Sequence, residues 1–428
     1  MNVSLTLACL AAVNVLLTLV IQWWIVTRLG LGIQTDALFA AIALPQLVLS
    51  ACSNSLTLVL VPLLATEHET ELGSSLWSLF LAVCGVFVLV ALAFAVTAGY
   101  WVRWFVPGFS PEAQALTISI TRIQMFTMIL AAAAAVPLSG LQAKRKFVRV
   151  ELSALASSLL SLMLLLWLMP MLGVVAAAWA LGLRAGLQLA WLLPGIVRWQ
   201  WPRWRAPTVL EARRRVWPLI LGTTYYQADP LVDRFLTSMV PAGGLSTLYL
   251  GQQIYGGINL ISDKALASPA LPTLSIQAKS AQWRAFRSTF RKRLVLLGLM
   301  TGCGYLVLLV FGEPVLKLLI GYAGVSAENV STLWWIMVAL GGYFMAGAMG
   351  YISSKTFYAM GDTRTPTKLG LWTYTLFLPI KVVMFFRYGL IGLAVISSAF
   401  VLANLLLQTL FLENRLANKI DGKNPLAR

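Results

Sequence analysis

The sequence predicts an all-α, polytopic membrane protein of about twelve transmembrane helices in two pseudo-symmetric six-helix lobes. Three features carry that expectation: successive apolar runs long enough to cross a bilayer, a one-sided distribution of basic residues, and an internal repeat. Of 428 residues 59% are hydrophobic and only 11% charged, with mean hydropathy +0.81, far from the balance of a soluble domain. The formal charge of +17 is not a nucleic-acid footprint. The bases sit in short clusters between apolar runs of about 20 residues, the length that spans hydrocarbon as a helix.

In chain order the apolar runs cover residues 5–27, 36–65, 76–100, 113–141, 150–169, 173–197, 216–240, 245–275, 294–312, 328–353, 368–386 and 389–412. The first lacks the basic n-region of a cleavable signal and is expected to stay in the protein. With both termini cytoplasmic, the loops around Lys144–Arg149, Arg198–Arg215, Lys279–Arg293 and Lys355–Lys368 and the tail from Arg415 hold most of the 32 basic residues. The opposite side keeps Arg28, Arg103, Lys317 and Arg387. Such an asymmetry fixes orientation.

The repeat is read from matched landmarks. Leu141-Gln142-Ala143 ends the fourth run and Phe357-Tyr358-Ala359 the tenth, and Gly173 and Gly389 open the sixth and twelfth, all 216 positions apart. Thr27-Arg28-Leu29 through Val61-Pro62-Leu63 is echoed by Asp233-Arg234-Phe235 through Leu271-Pro272-Thr273. Lobes of 1–205 and 206–428 follow, hinged at the Trp- and Arg-rich segment near Trp199–Arg215. Parallel repeats of this kind are a transporter plan with the substrate site between the halves.

Polar residues at helical spacing mark a face turned away from lipid. The first run has Asn14, Thr18 and Gln22; the second has Asp36 at its mouth, then Gln46, Ser50, Asn54 and Thr57. The seventh has Tyr225, Asp229 and Asp233, and the eighth Gln252, Tyr255, Asn259 and Asp263. These are the first pair of runs in each half, and together they predict a polar cavity. Single Ser, Thr or Asn residues also serve as contacts between membrane helices.

Ionisable groups at membrane depth are costly and point to function or to pairing. Asp233 and Arg234 are sequence neighbours, as are Asp263 and Lys264, and adjacent helix positions do not face each other, so each needs a partner on another helix. Asp229 precedes Pro230, which tends to kink a helix; a carboxylate there suits a coupling cation or proton. Arg122, Arg184 and Lys381 fall mid-run, where they either bind an anionic diphosphate headgroup or snorkel and pair. Trp101, Trp104, Trp334 and Trp335 read as interfacial belt residues, and Trp199, Trp201 and Trp204 as an anchor on anionic lipid.

Enzyme chemistry has no carrier. There is no P-loop and no nucleophile–base spacing, and His68 is the only histidine. Cys9, Cys52, Cys84 and Cys303 lie in apolar runs without CxxC spacing, so they are expected to be small buried hydrophobes. No cofactor or metal is expected, and energy must come from an ion gradient, the membrane potential or the substrate gradient.

The motifs Thr35-Asp36-Ala37, Leu44-Pro45-Gln46, Val61-Pro62-Leu63-Leu64-Ala65, Val106-Pro107-Gly108-Phe109, Val232-Asp233-Arg234 with Gly243-Gly244, Leu271-Pro272-Thr273-Leu274-Ser275 and Gly361-Asp362-Thr363-Arg364-Thr365-Pro366 occur in the order of a known family. The chain resembles the MurJ (MviN) lipid II flippases of the multidrug/oligosaccharidyl-lipid/polysaccharide exporter superfamily, as a divergent twelve-helix member. The resemblance implies a MATE-like fold in the bacterial inner membrane and alternating access. It also implies an undecaprenyl-diphosphate-linked glycan as partner, either lipid II or an exopolysaccharide or antigen repeat unit. Where lipid II members carry cavity arginines, this sequence has Leu16, Gln22, Leu49, Ser50 and Gln253. The expected headgroup cavity therefore comprises Asn14, Gln22, Asp36, Gln46, Asn54, Arg122, Asp229, Asp233, Arg234, Gln252, Gln253, Asn259, Asp263 and Lys264. A cation-coupled multidrug efflux antiporter of the same superfamily is the alternative, and a membrane assembly subunit without transport is another.

Overall fold

The computed structural model describes residues 3–65, 67, 69–195, 200–321 and 326–421. His68, Arg198 and Trp199, used above, and the basic tail residues Lys423 and Arg428 lie outside them. The described residues form helices and short links, with no strand. Contacts gather into two compact units, Met1–Ser246 and Thr247–Arg428.

The first unit holds α1 (Val3–Leu29), α2 (Ile33–Ala65), α3 (Glu69–Phe105), α4 (Pro111–Ala143), α5 (Phe147–Leu172), α6 (Val174–Leu192), α7 (Pro207–Gln227) and α8 (Asp229–Thr237), and the start of α9 (Gly244–Ser262). At its centre is α4, which packs against α2, α3 and α6. The buried run Ala132–Val136 explains why: small side chains let helix backbones approach closely where lipid supplies no hydrophobic drive. Leu56, Leu60 and Leu64 of α2 meet Leu72, Leu76 and Leu79 of α3, with Val209 and Ala212 of α7 closing the cluster. Because α7 and α8 pack on α2, contact assigns them to the first unit, whereas the repeat divides the chain at the linker before them.

The second unit holds the rest of α9, a π turn (Asp263–Ala267), α10 (Ala270–Lys279), α11 (Trp283–Ile320), α12 (Ala327–Ala339), α13 (Gly341–Ala359) and α14 (Arg364–Ile420). Phe286, Phe290 and Leu297 of α11 form its core with Ala348, Ile352 and Phe357 of α13 and Leu412 and Leu416 of α14.

The repeat is written into the backbone. Ser110 and Ser326 cap α4 and α12 in the same way, each hydroxyl accepting the amide three residues on. The ends of α4 and α13, Ala143 and Ala359, keep the 216-position spacing. Gly173 (φ 54°, ψ −132°) separates α5 from α6, and Gly389 (φ 60°, ψ −141°) breaks α14 into two arms in the same left-handed conformation. Glycine adopts it without a Cβ clash. One half departs from the other at Leu340, where α12 and α13 are bent by 44° while α4 runs through.

Among the described residues, eight helices are long and apolar enough to cross a membrane alone, and nine with the α12–α13 pair. The sequence divided the chain further for definable reasons. The merged α14 contains two predicted runs, the predicted 216–240 run is split at Ala228 with Pro230 in the first turn of α8, and the 245–275 run is interrupted by the π turn. Pro230 therefore opens a helix, where its missing donor costs nothing, instead of kinking one. Outward faces are apolar: Leu89 and Val96 of α3, Leu299 and Val310 of α11, and Phe386 of α14 are all exposed. Cys9 and Cys303 are exposed among such side chains rather than buried as expected, because thiols are tolerated on a lipid-facing surface. The protein is a multi-pass membrane protein.

Candidate functional site: ionisable residues held inside the helices

The first unit encloses a carboxylate knot. Asp36, one turn into α2, is 3% exposed, and its two oxygens accept the backbone amides of Gly243 at 2.6 Å and Ser246 at 2.7 Å. Those amides belong to the N-terminal turn of α9, whose dipole and unpaired donors favour an anion. Asp36 thus caps a helix about two hundred residues away. Thr35 adds a contact to the Ser246 hydroxyl at 3.3 Å and closes its own turn through Gly32. Gly243 sits at φ 97°, and a Cβ there would lie 2.8 Å from the Leu31 carbonyl oxygen. Gly108 is equally tight, with a Cβ only 2.3 Å from the Ser238 carbonyl oxygen. The motif residues around Thr35-Asp36, Gly108 and Gly243 are therefore the ones that build this knot.

Beside it, Asp233 and Arg234 of α8 are 1% and 3% exposed. The Arg234 guanidinium of α8 acts electrostatically on Asp36 of α2. Thr237 donates its hydroxyl to the Asp233 carbonyl at 2.6 Å. Asp229 opens α8, half-buried, with its charge at the favourable helix end. Elsewhere in this unit, Ser50 of α2 donates to Gln227 of α7 at 2.7 Å, and Ser158 of α5 donates to Asn14 of α1 at 2.7 Å.

In the second unit Asp263 opens the π turn and pairs with Lys355 of α13, whose ammonium also donates to Ser268 at 2.6 Å. Ser268 donates to the other Asp263 oxygen at 3.3 Å. π turns bring an extra residue into a helix and accompany functional sites. One turn earlier, Asn259 is buried against Gly347, where a Cβ would approach its side-chain nitrogen to 2.5 Å; its oxygen has no hydrogen-bond partner among the described residues. Tyr255 stacks on Phe344, ring centroids 4.6 Å apart, and donates to the Met337 carbonyl at 2.8 Å.

The remaining predicted residues are dispersed. Gln46 and Arg122 are exposed, Gln22, Gln252, Gln253 and Lys264 are half-buried, and the Asn54 side chain lies outside the described residues. Sequence reasoning missed Lys355, which looked like a loop base, and the Gly243 and Ser246 amides. The only available signal was the cost of leaving Asp263 and Asp36 without a partner.

Comparison with known proteins agrees with the motifs. The profile of the family described as lipid II flippase MurJ matches residues 25–424. A protein described as probable lipid II flippase MurJ from Synechocystis sp. is 21% identical over 420 residues, covering 91% of this chain and 76% of that protein. Its counterpart in Vibrio cholerae serotype O1 is 24% identical over 212 residues, 50% of this chain and 40% of the relative, so the chain matches under half the length of that protein. In structure the chain resembles a lipid II flippase MurJ in an inward closed conformation, TM-score 0.81 at 15% identity, over 96% of this chain and 89% of the other. It also resembles an inward-facing multidrug resistance MATE family transporter of the MOP superfamily, TM-score 0.78 at 15% identity, over 99% and 97%. At these identities the structural likeness shows the shared fold alone. The profile, by contrast, runs through nearly the whole chain and its motifs in order, and the chain belongs to the lipid II flippase MurJ family.

Proposed function

We propose that this protein flips a polyprenyl-diphosphate-linked oligosaccharide, either lipid II or an exopolysaccharide or antigen repeat unit, across the bacterial inner membrane by alternating access. The observation that carries the reading is the family match over residues 25–424 joined to ionisable residues held inside the helices. Asp36, Asp233 and Arg234 lie in one unit, and Asp263 with Lys355 in the other. A bilayer protein keeps such groups where they pair, move charge or meet a polar cargo. The two six-helix lobes of the repeat each contribute a polar stripe. In the first we assign Asn14, Gln22 and Gln46 to headgroup sugars, and in the second Gln252, Gln253 and Asn259. Arg122 attends the diphosphate, since guanidinium groups match phosphate oxygens bidentately. Asp229 is the residue we assign to a coupling cation, with the membrane potential as the other energy source. Translocation needs no covalent step, and both termini stay on the cytoplasmic side.

The test is deletion of the gene in its host, with lipid-linked glycans extracted and quantified. Accumulation of an undecaprenyl-diphosphate glycan facing the cytoplasm supports the proposal, and its chemical identity names the cargo. Drug hypersensitivity with unchanged lipid-linked glycans would instead support an efflux antiporter, which the MATE-like fold accommodates.

A further inference from the structure

The ends of the two repeats differ in one chemically pointed way. After α4 the chain turns through Lys144–Lys146. The Arg145 amide donates to Gln142 and the Lys146 amide to Leu141, both at 2.9 Å. After α13 the same turn recurs 216 positions on, with Gly361 donating to Tyr358 and Asp362 to Phe357. The second turn puts glycine at the left-handed position (φ 78°), whereas the first puts Arg145 there, at φ 57°. A non-glycine residue in that region is disfavoured, and here the position carries a guanidinium.

The next position inverts in charge. Asp362 accepts the amides of Arg364 and Thr365 and the Thr365 hydroxyl, and it pairs with Arg415. The second repeat thus carries an anion of its own. Its counterpart in the first repeat is Lys146, followed by Arg149, and neither these two nor Arg145 makes an ion pair among the described residues. Together the three line a groove of about 760 Å³ whose apolar wall is formed by Leu152, Trp191 and Pro194, and among the described residues no carboxylate lines it. Trp191 and Leu152 are 50% and 41% exposed, on helices α5 and α6 that face lipid.

We propose that this groove is a binding site for an anionic glycerophospholipid of the leaflet beside the basic loops. Arg145, Lys146 and Arg149 hold its phosphodiester where the second repeat has Asp362. The acyl chains lie along Leu152 and Trp191. Clusters of bases at helix ends beside apolar surface are recognised chemistry for such headgroups, and a soluble phosphate has no use for the apolar wall.

The full-length protein is reconstituted in nanodiscs containing equal phosphatidylglycerol and phosphatidylcholine, then extracted and analysed by native mass spectrometry for retained lipid. The expected result is retention of phosphatidylglycerol over phosphatidylcholine, reduced at least about tenfold by Lys146→Asp. That substitution supplies the anion internally, as Asp362 does, and leaves the melting temperature in pure phosphatidylcholine unchanged or higher. Arg145→Gly is a second variant certain to suit the backbone, since Gly361 holds the equivalent position, and it is expected to weaken retention too. Equal retention of both lipids by the natural sequence, undiminished phosphatidylglycerol in both variants, or displacement of the lipid by millimolar inorganic phosphate would each overturn the proposal.

Discussion

The Asp36 carboxylate accepts the Ser246 amide at 2.7 Å across 210 positions of sequence, so one side chain near the start of the protein terminates a helix in its middle. Because the same carboxylate also takes the Gly243 amide, its removal leaves two buried donors without partners. Charge-assisted bonds of this kind contribute about 1.5–3 kcal/mol each. Asp36→Asn keeps the size but offers a donor where an acceptor is needed. It is expected to lower stability by about 2 kcal/mol, and Asp36→Ala by more, measured by thermal unfolding in detergent. Unaltered melting of both variants would remove the cap from the account.

Close backbone approach makes Gly108 a steric test of the same region. An added Cβ would sit 2.3 Å from the Ser238 carbonyl oxygen, with backbone on both sides and no flexible side chain to give way. Gly108→Ala is expected to cost about 1–3 kcal/mol, the usual range for overpacking. Gly85→Ala meets nothing within 4 Å and serves as the control. Urea unfolding of the two variants should separate them clearly.

The Asp263–Lys355 pair is suited to a double-mutant cycle. Its side chains are only 13% and 18% exposed, so breaking it from one side strands a charge in a poorly solvated place. Asp263→Asn and Lys355→Met are each expected to destabilise by about 3 kcal/mol, while the double variant recovers a coupling of about 1–3 kcal/mol. Additive losses would show that the two residues do not act as a pair. If the pair also serves transport, the double variant regains stability without regaining glycan export.

Acid sensitivity has a named source in the loop between α13 and α14. Partial burial alone would raise the Asp362 carboxyl, but bonds from the Thr365 hydroxyl and amide and the charge of Arg415 outweigh it and hold the group at about 2. A folded-state value below the ordinary 3.8 stabilises above that ordinary value. The contribution is lost as pH falls from 3.8 through about 2. Asp362→Asn should therefore lower stability at neutral pH and flatten the pH dependence in that window. The check is a set of melting curves from neutral pH to the lowest pH the detergent tolerates.

Gly173 and Gly389 offer a test of the repeat itself. Both hold a left-handed backbone with no neighbour within 4 Å of a would-be Cβ, so Gly→Ala at either is opposed by conformation alone. Losses of about 1–2 kcal/mol are expected, and similar at the two positions. A large difference in unfolding midpoint between them would mean that the matched angles do not reflect matched mechanics.

Fold class, the repeat and most helix ends were decided by local features of the chain. Run length against bilayer thickness, the side on which bases gather, and the glycines at 173 and 389 all act within a few residues. The same is true of the Ser110 and Ser326 caps. Chain order also carried the family motifs. What those motifs do was decided elsewhere. Asp36 reads as a cavity carboxylate until its partners arrive from Gly243 and Ser246, and Lys355 reads as a loop base until Asp263 lies beside it, 92 positions away. Likewise Pro230, which reads as a kink, becomes the first turn of α8 once the chain breaks at Ala228. Local pattern tells a side chain how much it costs to bury, because that depends on its own charge and its own helix. Which group offsets that cost depends on a neighbour that only packing brings within reach.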